Sequence, residues 1–281
     1  VGIQTGNFYA ANPGAPVSIS DNQIASRRTG IFYNLHYSNA SPFTVSSNDI
    51  TANDEPGGTR WFGMLIASQQ TAVDVDILNN TIDGAGTSLP SSGYVAWNTP
   101  TTAEISVSGG TVTNVDNGVW VNNYEGYNSD ANDTRLTIDG VAINANQIGV
   151  YVLDSPSNTN GAIVAATVLG ISTGGAGDGV QVENADATVT VTNSDLSSNG
   201  GHGIEVAGGT LTLAQNNCLA NNTMDGVTVH SGGVVGAVLN NDISGNATGF
   251  SNSTGVDANA SGNWWGGNTP ATVSAEVTAN V

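Results

Sequence analysis

Lysine is absent from this 281-residue sequence, so arginine is the only cationic side chain that is always charged. Four arginines stand against 23 acidic residues, and the formal net charge is −19 at pH 7. The lack of lysine excludes Schiff-base catalysis and a phosphate-binding P-loop. Such an excess of negative charge repels nucleic acid and anionic membranes, so neither is an expected partner.

Cysteine is limited to Cys218, which excludes an intrachain disulfide and a cysteine-based zinc site. No run of about eighteen apolar residues occurs, so no membrane insertion is expected. The sequence begins at Val1 without a methionine or a signal-peptide pattern, which indicates a processed chain or a segment of a larger protein. From the composition we expect an extracellular or cell-surface location.

Glycine, by contrast, is abundant, with 37 residues, and hydrophobic residues make up 38 % of the chain. Only 10 % of the residues are charged, and Val, Asn, Ser and Thr are frequent, a composition that favours strands and turns over long helices. The hydrophobic fraction is sufficient for a substantial core, and we treat residues 1–281 as one domain.

Three apolar residues spaced i, i+2 and i+7 recur nine times, at intervals of 22 to 32 residues. Alternation places them on one face of short strands, and the intervals are too short for a covering helix. Each repeat is therefore predicted to form one coil of a solenoid. The third, inward position of the coils is assigned to Ile24, Ile50, Ile82, Val112, Ile143, Ile171, Leu196, Cys218 and Ile243.

A second repeated element, Gly-apolar-x-apolar, follows each triplet and begins with Gly30-Ile31-Phe32-Tyr33. Its glycine is expected to adopt a positive φ where the chain turns a corner. Asparagines two residues before the third inward position are expected to stack as a hydrogen-bonded column. That column is assigned to Asn22, Asn48, Asn80, Asn216 and Asn241. The sequence thus predicts an all-β fold, a single right-handed parallel β-helix (solenoid) of about ten coils.

The last coil contains the segment Ser261-Gly262-Asn263-Trp264-Trp265-Gly266-Gly267, in which Trp264 is assigned to the third inward position. Together with the repeats from Val17 onward, this segment resembles the right-handed parallel β-helix repeat family, many of whose members close the helix with Asn-Trp-Trp-Gly. The resemblance implies the fold. It implies no single activity, because that family includes polysaccharide lyases and hydrolases, epimerases, adhesins and surface-layer or filament proteins.

One catalytic motif requires consideration, Gly201-His202-Gly203, which resembles the Gly-His-Gly of β-helical polygalacturonases. The resemblance also requires adjacent aspartates and a downstream Arg-x-Lys. The sequence contains no Asp-Asp pair, and no basic residue other than histidine follows Arg135. We interpret His202 as a turn residue, assign no catalytic residue, and favour a non-enzymatic protein while leaving an enzyme open.

No cofactor is expected apart from calcium, for which the polar loop 122–133 is the candidate site. Its side chains supply the oxygen ligands that hard cations prefer. The candidate ligands are Glu125, Asn128, Asp130 and Asp133. The alternative interpretation is a solvated polar insertion.

The x position of Gly-apolar-x-apolar should face solvent, yet in the first five coils it is apolar or aromatic. We call these five residues the outer stripe: Phe32, Leu65, Val95, Trp120 and Tyr151. A wet apolar stripe of this length is unusual, so we expect it to be covered by the chain's own insertions or by a partner. The residues assigned to binding a partner or a glycan are Phe32, Leu65, Trp97, Trp120 and Tyr151.

Three function classes follow from these patterns. The first is a non-enzymatic extracellular structural or adhesive protein that self-associates into a filament or surface layer or binds a cell-surface partner. The alternative is a carbohydrate-active or carbohydrate-binding β-helix with a polysaccharide as its ligand. A third, ice binding, rests on outward Ser and Thr residues in a column that Asp76, Ala165 and Ala237 interrupt.

Overall fold

The computed structural model describes residues 1–7, 16–35, 43–54, 57–68, 74–97, 104–122, 134–153 and 162–278. The chain is all-β, with 58 % strand and 3 % helix, and its parallel strands form a β-solenoid of about eight turns. This confirms the predicted fold class, although the number of turns is lower than the predicted ten. Strands β1 (Ile3–Asn7) and β24 (Val277–Thr278) lie at the two ends of one sheet.

The elements between these two strands are short, as expected for a chain that turns a corner every few residues. In chain order they are β2 (Val17–Ser20), β3 (Gln23–Ser26), β4 (Thr29–Leu35), β5 (Phe43–Ser46), β6 (Asp49–Ala52), β7 (Trp61–Ser68), β8 (Val75–Leu78), β9 (Thr81–Asp83), β10 (Ser91–Trp97), β11 (Ile105–Ser108), β12 (Thr111–Asn122), β13 (Thr134–Asp139), β14 (Ala142–Leu153), β15 (Ala162–Thr167), β16 (Gly170–Thr173), β17 (Val180–Val182), β18 (Thr188–Thr192), β19 (Ile204–Val206), β20 (Gly209–Gln215), β21 (Asp225–Val229), β22 (Gly233–Leu239), β23 (Thr248–Asn252) and α1 (Pro270–Glu276).

Three parallel ladders form the faces of the solenoid. The first sheet stacks β1-β4-β7-β10-β12-β14-β17-β19-β21-β23-β24, and the second stacks β2-β5-β8-β11-β13-β15-β18-β20-β22. The third ladder runs from β3 through β6 and β9 to the beginnings of β12 and β14, and then to β16. The long strands β12 and β14 bend from the third ladder into the first sheet, so one strand serves two faces.

The inward column is confirmed from Ile24 through Leu196 and again at Ile243, all of which are buried, but the assignment of Cys218 to it was wrong. Cys218 pairs with Asp195 rather than Leu196 and is only half-buried, while Leu219 is fully buried in its place. The cause is a register shift between β18 and β20. Val189 pairs with Leu211 but Thr190 pairs with Leu213, which leaves Thr212 as an extra residue. The extra residue moves every later inward position of that coil by one.

In the last coil, too, the inward residue lies one position later than predicted. Asp242 pairs with Trp264, which leaves Trp264 49 % exposed, and Trp265 is the ring that packs into the core at 8 % exposure. The prediction of an inward Trp264 was therefore wrong by one residue. Helix α1, which Thr269 caps by accepting the backbone N–H of Thr272, follows this coil and leads into β24.

The repeated glycines are required for close approach rather than for a left-handed backbone, contrary to the prediction. Gly30 and its equivalents are not among the residues with positive φ. A Cβ on Gly30 would lie 2.3 Å from Ile50 Cγ2 and 2.5 Å from the carbonyl oxygen of Gly63. These distances are shorter than van der Waals contact, so a side chain at this corner would separate successive turns.

The asparagine column is confirmed for Asn22, Asn48, Asn80 and Asn241, whereas the assignment of Asn216 was wrong. Asn22 Nδ2 donates to Asn48 Oδ1 at 2.9 Å, and Asn48 Nδ2 donates to Asn80 Oδ1 at the same distance. In the shifted coil, Asn217 rather than Asn216 joins the column and donates to Asn241 Oδ1 at 3.0 Å. Each amide also meets backbone groups, so the turn satisfies its buried polar atoms from within.

Candidate ligand-binding groove

The five residues of the outer stripe align in one column on the first sheet, as the repeat predicted. Phe32 pairs with Leu65, Leu65 with Val95, Val95 with Trp120, and Trp120 with Tyr151. The same column continues with polar residues, because Tyr151 pairs with Gln181 and the following strands place Glu205, Thr228 and Ser251 in register. One face of the sheet is therefore apolar in its first half and polar in its second half.

The apolar half forms a hydrophobic cluster separate from the solenoid core. Leu65, Val95 and Trp120 are buried, with Trp120 at 8 % exposure. The half-buried residues packed around them are Phe32, Phe62, Trp97, Tyr151 and Leu153. Because the three central side chains are buried within a single chain, their burial requires no second subunit.

A pocket of about 660 Å³ opens over this cluster, and we call it the ring pocket. It is lined by Arg28, Thr29, Thr59, Arg60, Phe62, Trp97, Trp120, Asn122 and Leu153. The side chains come from five successive strands of the first sheet, β4, β7, β10, β12 and β14, and from the segments before β4 and β7. Its base is aromatic, and the two arginines are exposed.

The ring of Trp120 is the centre of the pocket. It contacts the ring of Phe62 with centroids 6.2 Å apart, and the guanidinium carbon of Arg60 lies 4.8 Å from its centroid. A cation over an indole face is an attractive arrangement. The Trp120 Nε1 atom is buried and has no hydrogen-bond partner in the part of the chain that the structure describes.

Tyr151 marks the boundary between the two halves of the face. Its hydroxyl donates to Glu183 Oε2 at 2.8 Å, and Gln181 Nε2 donates to Glu183 Oε1 at 3.2 Å. Burial, the hydrogen bond to Glu183 and the charge of Glu183 raise the pKa of Tyr151, while the charge of Arg60 opposes the rise. The hydroxyl thus stays protonated at neutral pH, and it interacts electrostatically with Arg60 as well as with Glu183 and Glu205.

Beyond Tyr151 lies a network of titratable side chains that the sequence analysis did not identify. Asp178 accepts the backbone N–H of His202 at 2.6 Å and hydrogen-bonds Glu205, which lies 2.9 Å from His230 Nε2. Burial raises the pKa of Asp178 to about 7, although the hydrogen bond from His202 acts in the opposite direction. Asp178 also lines a smaller pocket of about 320 Å³.

His202 occupies a structural position within this network. It is buried, its Nδ1 accepts the backbone N–H of Asp225 at 3.1 Å, and burial lowers its pKa. The ring thereby satisfies the backbone of the next turn, which supports the interpretation of Gly201-His202-Gly203 as a turn. Asp178, His202 and Asp225 all precede a repeat glycine, so the position before each repeat glycine was the sequence signal that could have revealed this cluster.

The predicted binding residues are brought together, whereas the predicted calcium ligands cannot be placed. Phe32, Leu65, Trp97, Trp120 and Tyr151 all belong to the apolar cluster. Glu125, Asn128, Asp130 and Asp133 lie outside the described residues. Within the described ranges, no group of three or more His, Cys, Asp or Glu side chains is arranged to hold a metal ion.

The sequence analysis did not assign Arg28 and Arg60 to the ring pocket, because neither residue belongs to a repeated position. Comparisons with known proteins add no assignment, since no protein-family model, curated protein or solved structure matches this chain. Among the helical residues that the structure describes, none forms a helix long and apolar enough to cross a membrane.

Proposed function

We propose that this chain is a non-enzymatic, adhesive β-solenoid of the extracellular surface that binds a glycan in the ring pocket. The observation that carries the proposal is the convergence of three aromatic rings, Phe62, Trp97 and Trp120, on one pocket of the outward face. Its volume of about 660 Å³ lies within the range of sites for small ligands or a few sugar units.

Sugars suit this combination of surfaces. One face of a pyranose ring presents C–H groups that pack against an aromatic ring, while the hydroxyls at its edge require hydrogen-bond partners. The pocket offers both, because the polar side chains of Thr29, Thr59 and Asn122 stand around the rings.

The solenoid holds the pocket in a preformed shape. Phe62, Trp97, Trp120 and Leu153 belong to β7, β10, β12 and β14, which are hydrogen-bonded in succession. Binding to side chains on rigid strands requires little ordering of the protein, which favours affinity.

The lining of the pocket favours binding over catalysis. Its described lining residues include no carboxylate and no histidine, the side chains that most often act as general acid and base. Glu205 instead lies on β19, beyond Tyr151 in the polar half of the face, and Asp178 lies in the segment before β17.

The proposal is tested on a glycan array with the folded chain, followed by calorimetry on the glycans that bind. Trp97→Ala should weaken binding at least about tenfold, which corresponds to roughly 1.4 kcal/mol. Trp264→Ala removes an exposed indole in the last coil and is the matched control, which should bind as wild type does.

Two results would contradict the proposal. The first is a folded wild-type chain that binds no glycan on the array. The second is equal weakening by Trp97→Ala and Trp264→Ala, which would show that ligand contacts are not specific to the ring pocket. Release of new reducing ends from a bound polysaccharide would contradict the non-enzymatic part alone.

A further inference from the structure

We propose that the ring pocket selects an acidic glycan, whose carboxylate or sulfate is bound by Arg60 while its sugar ring packs on Trp97 and Trp120. The inference rests on the proposed function and adds the chemical class of the ligand. It also predicts where on the ligand the charge lies.

The distribution of positive charge is the first argument. The chain has four arginines and no lysine against 23 acidic residues, and two of those arginines line this one pocket. At physiological ionic strength, charges more than about 8 Å apart in solvent are largely screened. A small anion in the pocket therefore interacts mainly with the local arginines rather than with the negative protein as a whole.

The contacts of Arg60 are the second argument. Its guanidinium lies over the Trp120 ring, and in the described part of the chain no carboxylate pairs with it. The guanidinium carries five N–H donors, and such a group binds a carboxylate or sulfate in a bidentate manner.

The asymmetry of the face restricts the position of the ligand's charge. Past Tyr151 the outward side chains include Glu183 and Glu205, and the buried Asp178 stands beside them. A polymer that carries a negative charge on every unit and extends along the face would meet these carboxylates. The geometry therefore points to a glycan whose charged units alternate with neutral units or are terminal.

Calorimetry with four oligosaccharides of equal length tests this inference. They are one in which a uronic acid alternates with a neutral sugar, the same compound after reduction of its carboxyl groups, a sulfated analogue, and an oligouronate charged at every unit. The alternating compound should bind the wild-type chain at least about tenfold more tightly than its reduced form, the ratio expected for one charge-assisted contact. It should also bind more tightly than the oligouronate, and the sulfated analogue shows which anion is preferred.

Arg60→Gln and Arg135→Gln form a matched pair, because both remove one positive charge and both arginines are exposed. Arg135 lies on β13 of the second sheet, away from the pocket. Arg60→Gln should weaken the alternating compound about tenfold and leave its reduced form unchanged, whereas Arg135→Gln should change neither by more than about twofold.

The outcomes separate the two proposals. Equal binding of the acidic and reduced compounds, or equal losses in the two arginine variants, would overturn the acidic class and leave glycan binding intact. Tighter binding of the fully charged oligouronate would overturn the inferred position of the charge. Failure of all four compounds with a folded chain, together with an array on which no glycan binds, would overturn the proposed function itself.

Discussion

Val168 is a strained residue whose replacement should stabilise the protein. Its φ is +52°, and the other non-glycine residues with positive φ in the described chain are Asp, Ser or Asn. A left-handed backbone costs an ordinary L-residue about 1 to 2 kcal/mol, and the cost is greatest for β-branched side chains. Asn adopts this conformation more readily, because its short polar side chain hydrogen-bonds locally.

The predicted gain follows from these values and from the exposure of the side chain. Val168 is 54 % exposed, so Val168→Asn removes little buried apolar area. Its backbone N–H donates to the carbonyl of Thr192, a bond that the substitution retains. We expect the free energy of unfolding to rise by about 1 kcal/mol, which corresponds to roughly 3 °C in Tm for a protein of this size.

Thermal and urea unfolding followed by circular dichroism measure this effect. Val234→Asn is the matched control, because Val234 is 55 % exposed but lies in the regular strand β22. The control should be neutral or slightly destabilising, since asparagine is unfavourable in strands. An unchanged or lower Tm for Val168→Asn, or an equal rise in both variants, would refute the strain argument.

Three further predictions concern the core, the asparagine column and the acidic network. Leu196→Asp places a carboxylate in the fully buried inward column and should abolish folding, so a wild-type melting curve would contradict the inward assignment. Asn48→Ala should lower the free energy of unfolding by about 3 kcal/mol because it leaves buried backbone carbonyls unpaired, whereas the exposed Asn53→Ala should have little effect in the same urea titration. The free energy of unfolding should fall as the pH rises from about 4 to about 7, because the unfolded chain releases the Asp178 proton near pH 4 while the folded chain holds it to about 7. The lowered pKa of His202 acts in the opposite direction and should make the free energy of unfolding rise with pH below about pH 6.5. Asp178→Asn should therefore remove the fall in the free energy of unfolding and leave this rise. An unchanged pH profile would show that Asp178 does not titrate as inferred.

The sequence predicts the fold well because successive coils repeat the same residue types at equivalent positions. Alternating apolar residues define the strands, and Gly30 and its equivalents mark the corner where turns approach most closely. In the late coils, the spacing of apolar residues could not predict which residues face inward. The bulge inserts Thr212 between Leu211 and Leu213, and both Leu213 and Cys218 are apolar enough to be mistaken for inward residues.

The binding groove was predictable only in part, for a similar reason. Trp120 and Tyr151 occupy a repeated position, so stacking the coils predicts their alignment. Arg28 and Arg60 belong to the segments that precede strands, and their position in the ring pocket depends on how those segments turn in space. No periodicity encodes that geometry, and the positions therefore emerge only from the structure.

The parallel stacking of turns also determines how the molecule would respond to a pulling force. Hydrogen bonds between stacked strands lie along the solenoid axis, so tension applied through the two ends loads them one turn after another instead of all together. Turns at a loaded end would peel away singly and reform when the load falls. The first sheet continues for five strands beyond β14, so several turns can open at that end before the strands that carry the ring pocket are reached.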